Sequence, residues 1–134
     1  MNKKFVIDTS VFITYAAYNK IYRLVDAIIS YELKVFLNDE LLLELENNIR
    51  NALQVRDADP YKILHEIKEV TIHKSTIPYF KLIPDPKDNF LFDLALQTGS
   101  EVIVTQEKAL LNFKDSPVPI HNIGWFKENF PVSL

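Results

Sequence analysis

The chain has no cysteine among its 134 residues. That absence removes disulfides, thiolate zinc sites, iron–sulfur clusters and cysteine nucleophiles together. Glycine is nearly as scarce. Gly99 and Gly124 are the only two, too few for a phosphate-cradling P-loop or the G-x-G-x-x-G turn of a dinucleotide-binding unit. Nor is there an excess of positive charge: fifteen Lys and Arg against eighteen Asp and Glu leave a formal charge of −3. This disfavours nucleic-acid binding by bulk charge, although a local basic rim around a site stays compatible with it. No apolar run approaches the roughly 20 residues of a membrane span. The opening MNKKFVIDTS sets two lysines before apolar residues, as a secretory signal does, but Asp8 interrupts the stretch after Phe5–Ile7. A charge there is a poor fit to an apolar segment of roughly 7–15 residues. The expectation is a cytoplasmic protein with no membrane segment.

What is present points to an α/β domain. A hydrophobic share of 48% supports one ordinary core, and at roughly 100–200 residues per domain the length fits a single domain, residues 1–134. Short apolar runs read as strands at Lys4–Asp8, Lys34–Leu37, Val70–His73, Glu101–Thr105 and Val118–His121. The third could instead be an irregular extension of the helix before it. Between them lie helical periodicities: Leu24, Val25, Ile28 and Ile29; Leu41, Leu42, Leu45 and Ile49 after a cap at Asn38 or Asp39; Ile63, Leu64 and Ile67 after Asp59-Pro60. Pro84-Asp85-Pro86 reads as a turn before Phe90, Leu91, Leu94 and Ala95, a helix that Gly99 ends. Asn122 is placed to cap a last helix in which Trp125 and Phe126, with Phe130 after them, pack onto the domain. Strands apolar throughout and alternating with helices predict a three-layer α/β/α architecture with a central parallel sheet of about five strands. In such sheets ligands bind beyond the carboxyl ends of the strands, where strand order reverses.

Two strands end in polar groups at that edge. Asp8 closes the first and is followed by Thr9-Ser10; Thr105 closes the fourth and is followed by Gln106-Glu107. Asp8 could simply cap the next helix, but at the tip of a central strand its carboxylate needs partners. Glu44 lies within LLLELE, where a solvated face is less expected, with Glu40 one turn earlier on the same side. Asp88 stands at a helix start, where the helix dipole favours negative charge. Asp93 projects about 140° away around that helix, and either a bond to the site or a solvent position fits it. Each carboxylate alone has an ordinary explanation. Together Asp8, Glu44, Asp88 and Glu107 would crowd one sheet edge, and such a pocket cannot stay fully ionised without cations. Oxygen-only ligands select hard ions, Mg²⁺ or Mn²⁺, which serve phosphodiester displacement by activating a water.

These segments resemble the PIN-domain family, close to the bacterial toxin components of toxin–antitoxin systems (VapC-like ribonucleases). The resemblance spans nearly the whole chain and rests on four segments in order: the strand ending in Asp8-Thr9-Ser10; LLLELENNIR with Glu44; DPKDNFLFDLAL with Asp88; and EVIVTQEKALL. It implies an Mg²⁺- or Mn²⁺-dependent endoribonuclease, with RNA as substrate and a small antitoxin protein as partner. A homodimer is compatible with it. By the same resemblance Asp8, Glu44 and Asp88 would hold the metal and Glu107 would complete the set. Ser10 and Thr105 would hydrogen-bond those carboxylates or the metal's water, with Asn89 and Asp93 as further supporting residues. One position departs from the pattern. The family has Asp two residues after the threonine, where this chain has Glu107, so a weakened site serving mainly as a protein- or RNA-binding module is the alternative. A phosphotransfer enzyme with Asp8 as nucleophile is disfavoured, because Ser10 stands where a haloacid-dehalogenase-type site has its second Asp.

Other residues carry plainer expectations. Lys87 and Lys108 flank two of the carboxylates and could steer phosphate towards them. His65, His73 and His121 have no ligand-type spacing and read as structural or surface groups. Tyr15, Tyr18 and Tyr22 follow helical spacing, fitting core packing, base stacking or a partner-binding patch.

Overall fold

The computed structural model describes residues 3–53, 59–79, 81 and 86–132, without the side chains of 52, 53, 86 and 87. Aromatic and β-branched residues build its strands: β1 (Lys4–Ile7), β2 (Lys34–Leu37), β3 (Thr71–His73), β4 (Val102–Val104) and β5 (Ile120–His121). All neighbours pair in parallel, in the order β3-β2-β1-β4-β5. Val6, Ile7, Val35, Ile103 and Val104 are fully buried, as strands covered on both faces require. Order reverses at β1, because the chain steps from it to β2 and β3 on one side and later to β4 and β5 on the other. The crevice beyond the ends of β1 and β4 is therefore the place for a ligand.

Helices α1 (Thr9–Ala17), α2 (Ile21–Ser30), α3 (Asp39–Leu53), α4 (Pro60–Val70), α5 (Pro86–Thr98), α6 (Lys108–Leu111) and α7 (Ile123–Asn129) flank the sheet, giving the three-layer α/β/α arrangement expected. Each of three caps settles on a definite residue. Asn38 Oδ1 accepts from Leu41 N at 2.9 Å and starts α3, while Asp39 turns instead to His73 Nε2. Asp59 accepts from Tyr61 N at 3.0 Å, and Asn122 accepts from Trp125 N at 2.9 Å. The third strand run, the least strand-like in sequence, is a true strand at the sheet edge, starting one residue late. The first run ends one residue earlier than expected, the fourth is shorter at both ends, and β5 keeps only the last two residues of Val118–His121. Pro119 still contributes its carbonyl, to Ile103 N. The Pro84-Asp85 part of the expected turn lies outside the described residues. None of the described helices is long and apolar enough to cross a membrane.

Aromatic rings close the end of the sheet where β1 starts. Phe130 packs edge-on against Phe5 and Tyr31, with centroids 5.5 and 5.2 Å away, and Phe5 meets Trp125 at 6.2 Å. His121 stacks flat on Trp125 at 4.2 Å, and His65 pairs with Glu69. All three histidines thus take structural or surface roles.

The scarcity of glycine leaves a mark on the helix ends. α1, α2 and α5 finish in the same paired-hydrogen-bond turn, which needs one residue at positive φ. Gly99 supplies it for α5 at φ 70°, but Asn19 (57°) and Glu32 (55°) supply it for the other two. At Glu32 the backbone bonds Glu32 N to Ile29 O and Leu33 N to Ile28 O impose this conformation. A left-handed L-residue costs about 1–2 kcal/mol, against about 0.5–1 kcal/mol for the extra chain entropy of glycine. Glu32→Gly is therefore expected to stabilise the fold by about 0.5–1 kcal/mol, read as a higher midpoint in urea denaturation.

Candidate active site

The site starts from Asp8, which sits directly after β1 and is 1% exposed. It occupies the N-cap position of α1, yet its side chain makes no capping hydrogen bond. The carboxylate turns across the sheet edge instead. Ser10 Oγ and Thr105 Oγ1 each donate to Asp8 Oδ2 at 2.8 Å. Both hydroxyls are backed by the backbone of the loop after β4: Gln106 N donates to Ser10 Oγ and Glu107 N to Thr105 Oγ1, each at 3.1 Å. Since each hydroxyl has one proton and accepts an amide proton, the direction of every bond is fixed. Two short relays run from the loop amides into one carboxylate oxygen.

Glu44 enters through Thr9. The Thr9 hydroxyl donates to Glu44 Oε1 and lies 3.5 Å from Asp8 Oδ1. Its single proton serves the nearer oxygen, so Thr9 sits between the two carboxylates and holds Glu44 on the Oδ1 side of Asp8. Thr9 is 2% exposed, and sequence reasoning passed over it in this role. No local sequence pattern signals it, because its partner Glu44 lies thirty-five positions away. Asn38 supports the same arrangement from beneath. It starts the helix that carries Glu44, and its Nδ2 donates to Phe90 O of α5 at 3.4 Å and Thr76 Oγ1 at 3.2 Å.

Asp88 and Asn89 are buried in the first turn of α5, 4% and 7% exposed, and the helix packs against β1, β2 and β4. Asp93, left open between site and solvent, is 1% exposed and accepts from Tyr79 N at 3.0 Å. This bond ties the segment after β3 to α5. Glu107 precedes α6 without capping it by its side chain and is half-buried, and Lys108 is exposed beside it. The Lys87 side chain lies outside the described residues. Tyr15 is buried, whereas Tyr18 and Tyr22 are exposed. Trp125, Phe126 and Phe130 do pack the last helix against the domain.

The donor set is all oxygen, from carboxylates and hydroxyls, which is the chemistry that hard divalent cations accept. As the side chains stand, however, the described residues contain no group of three or more His, Asp or Glu gathered closely enough to hold an ion. The donor types fit a cation.

Comparison with known proteins places this geometry. The family model described as the PIN domain matches residues 4–109. The chain belongs to the PIN-domain family. PIN domains are generally nucleases, bind RNA and use divalent metal ions. Among solved structures, the crystal structure of PAE2754 from Pyrobaculum aerophilum matches with a TM-score of 0.68 at 16% identity. It covers 97% of this chain and 90% of that one, and at such identity the likeness concerns the fold. No curated protein matches the chain.

The relays give this PIN domain a measurable signature. Thr105→Val deletes a buried donor to Asp8 and the acceptor of Glu107 N, and should cost about 1–3 kcal/mol. Ser10→Ala, at a half-buried position, should cost less. Because both hydroxyls feed one oxygen, the double variant should depart from additivity by at least about 0.5 kcal/mol in a urea-denaturation cycle. Additive costs would mean that the two relays act separately.

Proposed function

We propose that this single domain, residues 1–134, is an Mg²⁺- or Mn²⁺-dependent endoribonuclease, the toxin component of a toxin–antitoxin pair acting in the cytoplasm. The observation that carries the reading is Asp8. A buried carboxylate at the end of the switch-point strand makes no helix-capping bond, is oriented by hydroxyls from two elements, and is joined to a second carboxylate through Thr9.

Asp8, Glu44 and Asp88 would hold the cation, with Glu107 completing the set. When bound, the ion supplies positive charge that lowers the pKa of a water and neutralises the phosphodiester. Ser10 and Thr105 aim Asp8 by donating to Oδ2, and Thr9 lies between its Oδ1 side and Glu44. Thr9 holds Glu44 beside Asp8, where both could serve one cation. Asn89 supports the start of α5, and Asp93 acts at a distance by fixing Tyr79 to that helix. Lys108, with Lys87, would draw the anionic backbone of RNA towards an otherwise acidic edge. A small antitoxin protein is the partner this role calls for, and a homodimer is compatible with it.

Cleavage of a fluorescently labelled single-stranded RNA in Mg²⁺ or Mn²⁺ tests the reading. Asp8→Asn and Asp88→Asn should each lower the rate at least about 100-fold, since both remove charge from the ion's position. Circular dichroism should show both still folded, because Asn keeps the shape of the side chain while removing a buried charge. Contaminant-free Asp8→Asn protein that cleaves as fast as wild type would overturn the assignment. A second reading, a PIN-like module that binds protein or RNA without efficient cleavage, draws on Glu107 in place of Asp and on the open spacing of the carboxylates. Calorimetric titration with Mn²⁺ separates the two. Binding in the millimolar range or tighter that Asp8→Asn abolishes supports the nuclease, and none supports the module.

A further inference from the structure

One cluster of cations lies away from the carboxylates. Between the end of α1, the start of α2 and the face of α7 is a cleft of about 240 Å³. Lys20, Arg23 and Lys127 line it, Tyr15 and Tyr18 form its aromatic wall, and no acidic residue is among the described residues lining it. It continues into a second hollow of about 180 Å³ that shares Tyr15, Arg23 and Lys127. Three cations thus gather without a carboxylate among the described lining residues, in a chain of net charge −3.

Arg23 gives the cluster a direction. Its Nε is buried and, among the described residues, meets no hydrogen-bond acceptor. None of Lys20, Arg23 and Lys127 takes part in the ion pairs found among the described residues. A buried N–H of a charged group left without an acceptor is costly, and an anion seated in the cleft would remove that cost. Burial pushes the Tyr15 phenol above its usual pKa, with Arg23 opposing the shift, so at neutral pH this hydroxyl is a donor. Lys127 Nζ lies 5.8 Å above the Tyr15 ring and is kept at the cleft by it.

Helix α1 links the cleft to the candidate active site, since Asp8 precedes its first turn and the cleft lies towards its end. Thr14, on its lip, donates to the carbonyl of Ser10 at 2.8 Å. One helical turn therefore separates the lip from the Asp8 relay, and Tyr18 lies about 12 Å along α1 from Ser10. Tyr18 is 70% exposed, an open ring beside cations, which is the combination that holds single-stranded nucleic acid by stacking and backbone charge. We propose that this cleft binds the backbone phosphate of a single-stranded RNA a few nucleotides from the bond at Asp8, with a base stacked on Tyr18. The inference rests on the nuclease reading for its substrate, but binding can be measured without cleavage.

The experiment uses a labelled eight-nucleotide single-stranded RNA in EDTA, with fluorescence anisotropy as readout. Lys20→Glu with Lys127→Glu changes two exposed side chains that leave the core untouched. The pair should weaken binding at least tenfold and reduce the slope of log affinity against log salt by about 1.4, at about 0.7 for each lost phosphate contact. Arg23→Gln should weaken it in the same direction, and Tyr18→Ala should weaken it without altering the slope. Unchanged affinity and slope in the lysine pair would overturn the proposal. So would tight binding of inorganic phosphate that the lysine pair abolishes while RNA affinity stays constant, since the cleft would then serve a free anion. If wild type shows no metal-dependent cleavage but the RNA arm behaves as expected, the nuclease reading falls and the cleft stands. If cleavage is robust and the RNA arm is flat, the reverse holds.

Discussion

The organisation of this molecule depends on how the Asp8 carboxyl group is held inside it. A carboxylate 1% exposed at the end of a central strand would be expelled or neutralised without compensation. Compensation comes from dipoles in fixed orientation: two hydroxyl protons reach Oδ2, and each hydroxyl is polarised by a backbone amide of the 106–107 loop. Bonds to charged groups are roughly twice as strong as neutral ones, and chains of them reinforce each other. The N-terminal end of α1 adds favourable partial charge. The same bonds stitch the ends of β1 and β4 together at the point where strand order reverses, so one network both organises the sheet edge and orients the group that would do chemistry there.

Such an edge trades stability for function. Asp8, Asp88 and Asp93 are all buried, and none of the three is needed to fill the core, which Phe12, Phe92, Leu91, Ile103 and their neighbours already pack. Burial of a carboxylate is not itself evidence of catalysis, and Asp93 has a structural bond to account for its own. Its observed bond is to Tyr79 N, an anchor for the chain after β3. Asp8 differs in that hydroxyls from two elements converge on it and Thr9 links it to a second carboxylate.

Much of this was legible in the sequence because it followed from local rules. Apolar runs ending in Asp8 and Thr105 are strand tips, and Asn38, Asp59, Asn122 and Gly99 mark helix ends by their own hydrogen-bonding and backbone chemistry. Parallel strands then dictate that both tips share one edge. Thr9 was not legible as the element joining Glu44 to Asp8, because that bond spans thirty-five positions and no local pattern encodes it. Asp93 stayed open for the same reason, since its partner lies on a segment without regular structure. The tyrosine stripe of Tyr15, Tyr18 and Tyr22 has one periodicity but two fates. Helical spacing gives the face, and only the packing of α2 and α7 against α1 decides which ring is covered.

Glu107 is where sequence and structure bear on each other most. Its position is set by its amide, which donates to Thr105 Oγ1, so the loop register does not depend on whether the side chain is Asp or Glu. The substitution therefore changes reach alone, moving the carboxylate by one methylene relative to a scaffold that stays in place. Its side chain makes no bond to the α6 N-terminus, so it is not diverted into capping. If Asp8, Glu44 and Asp88 hold an ion as proposed, the longer arm would reach towards it from a fixed base, a poor match to the exacting octahedron that Mg²⁺ demands. The chemistry of this site thus turns on the position of one carboxylate against a network that already holds the other groups in register.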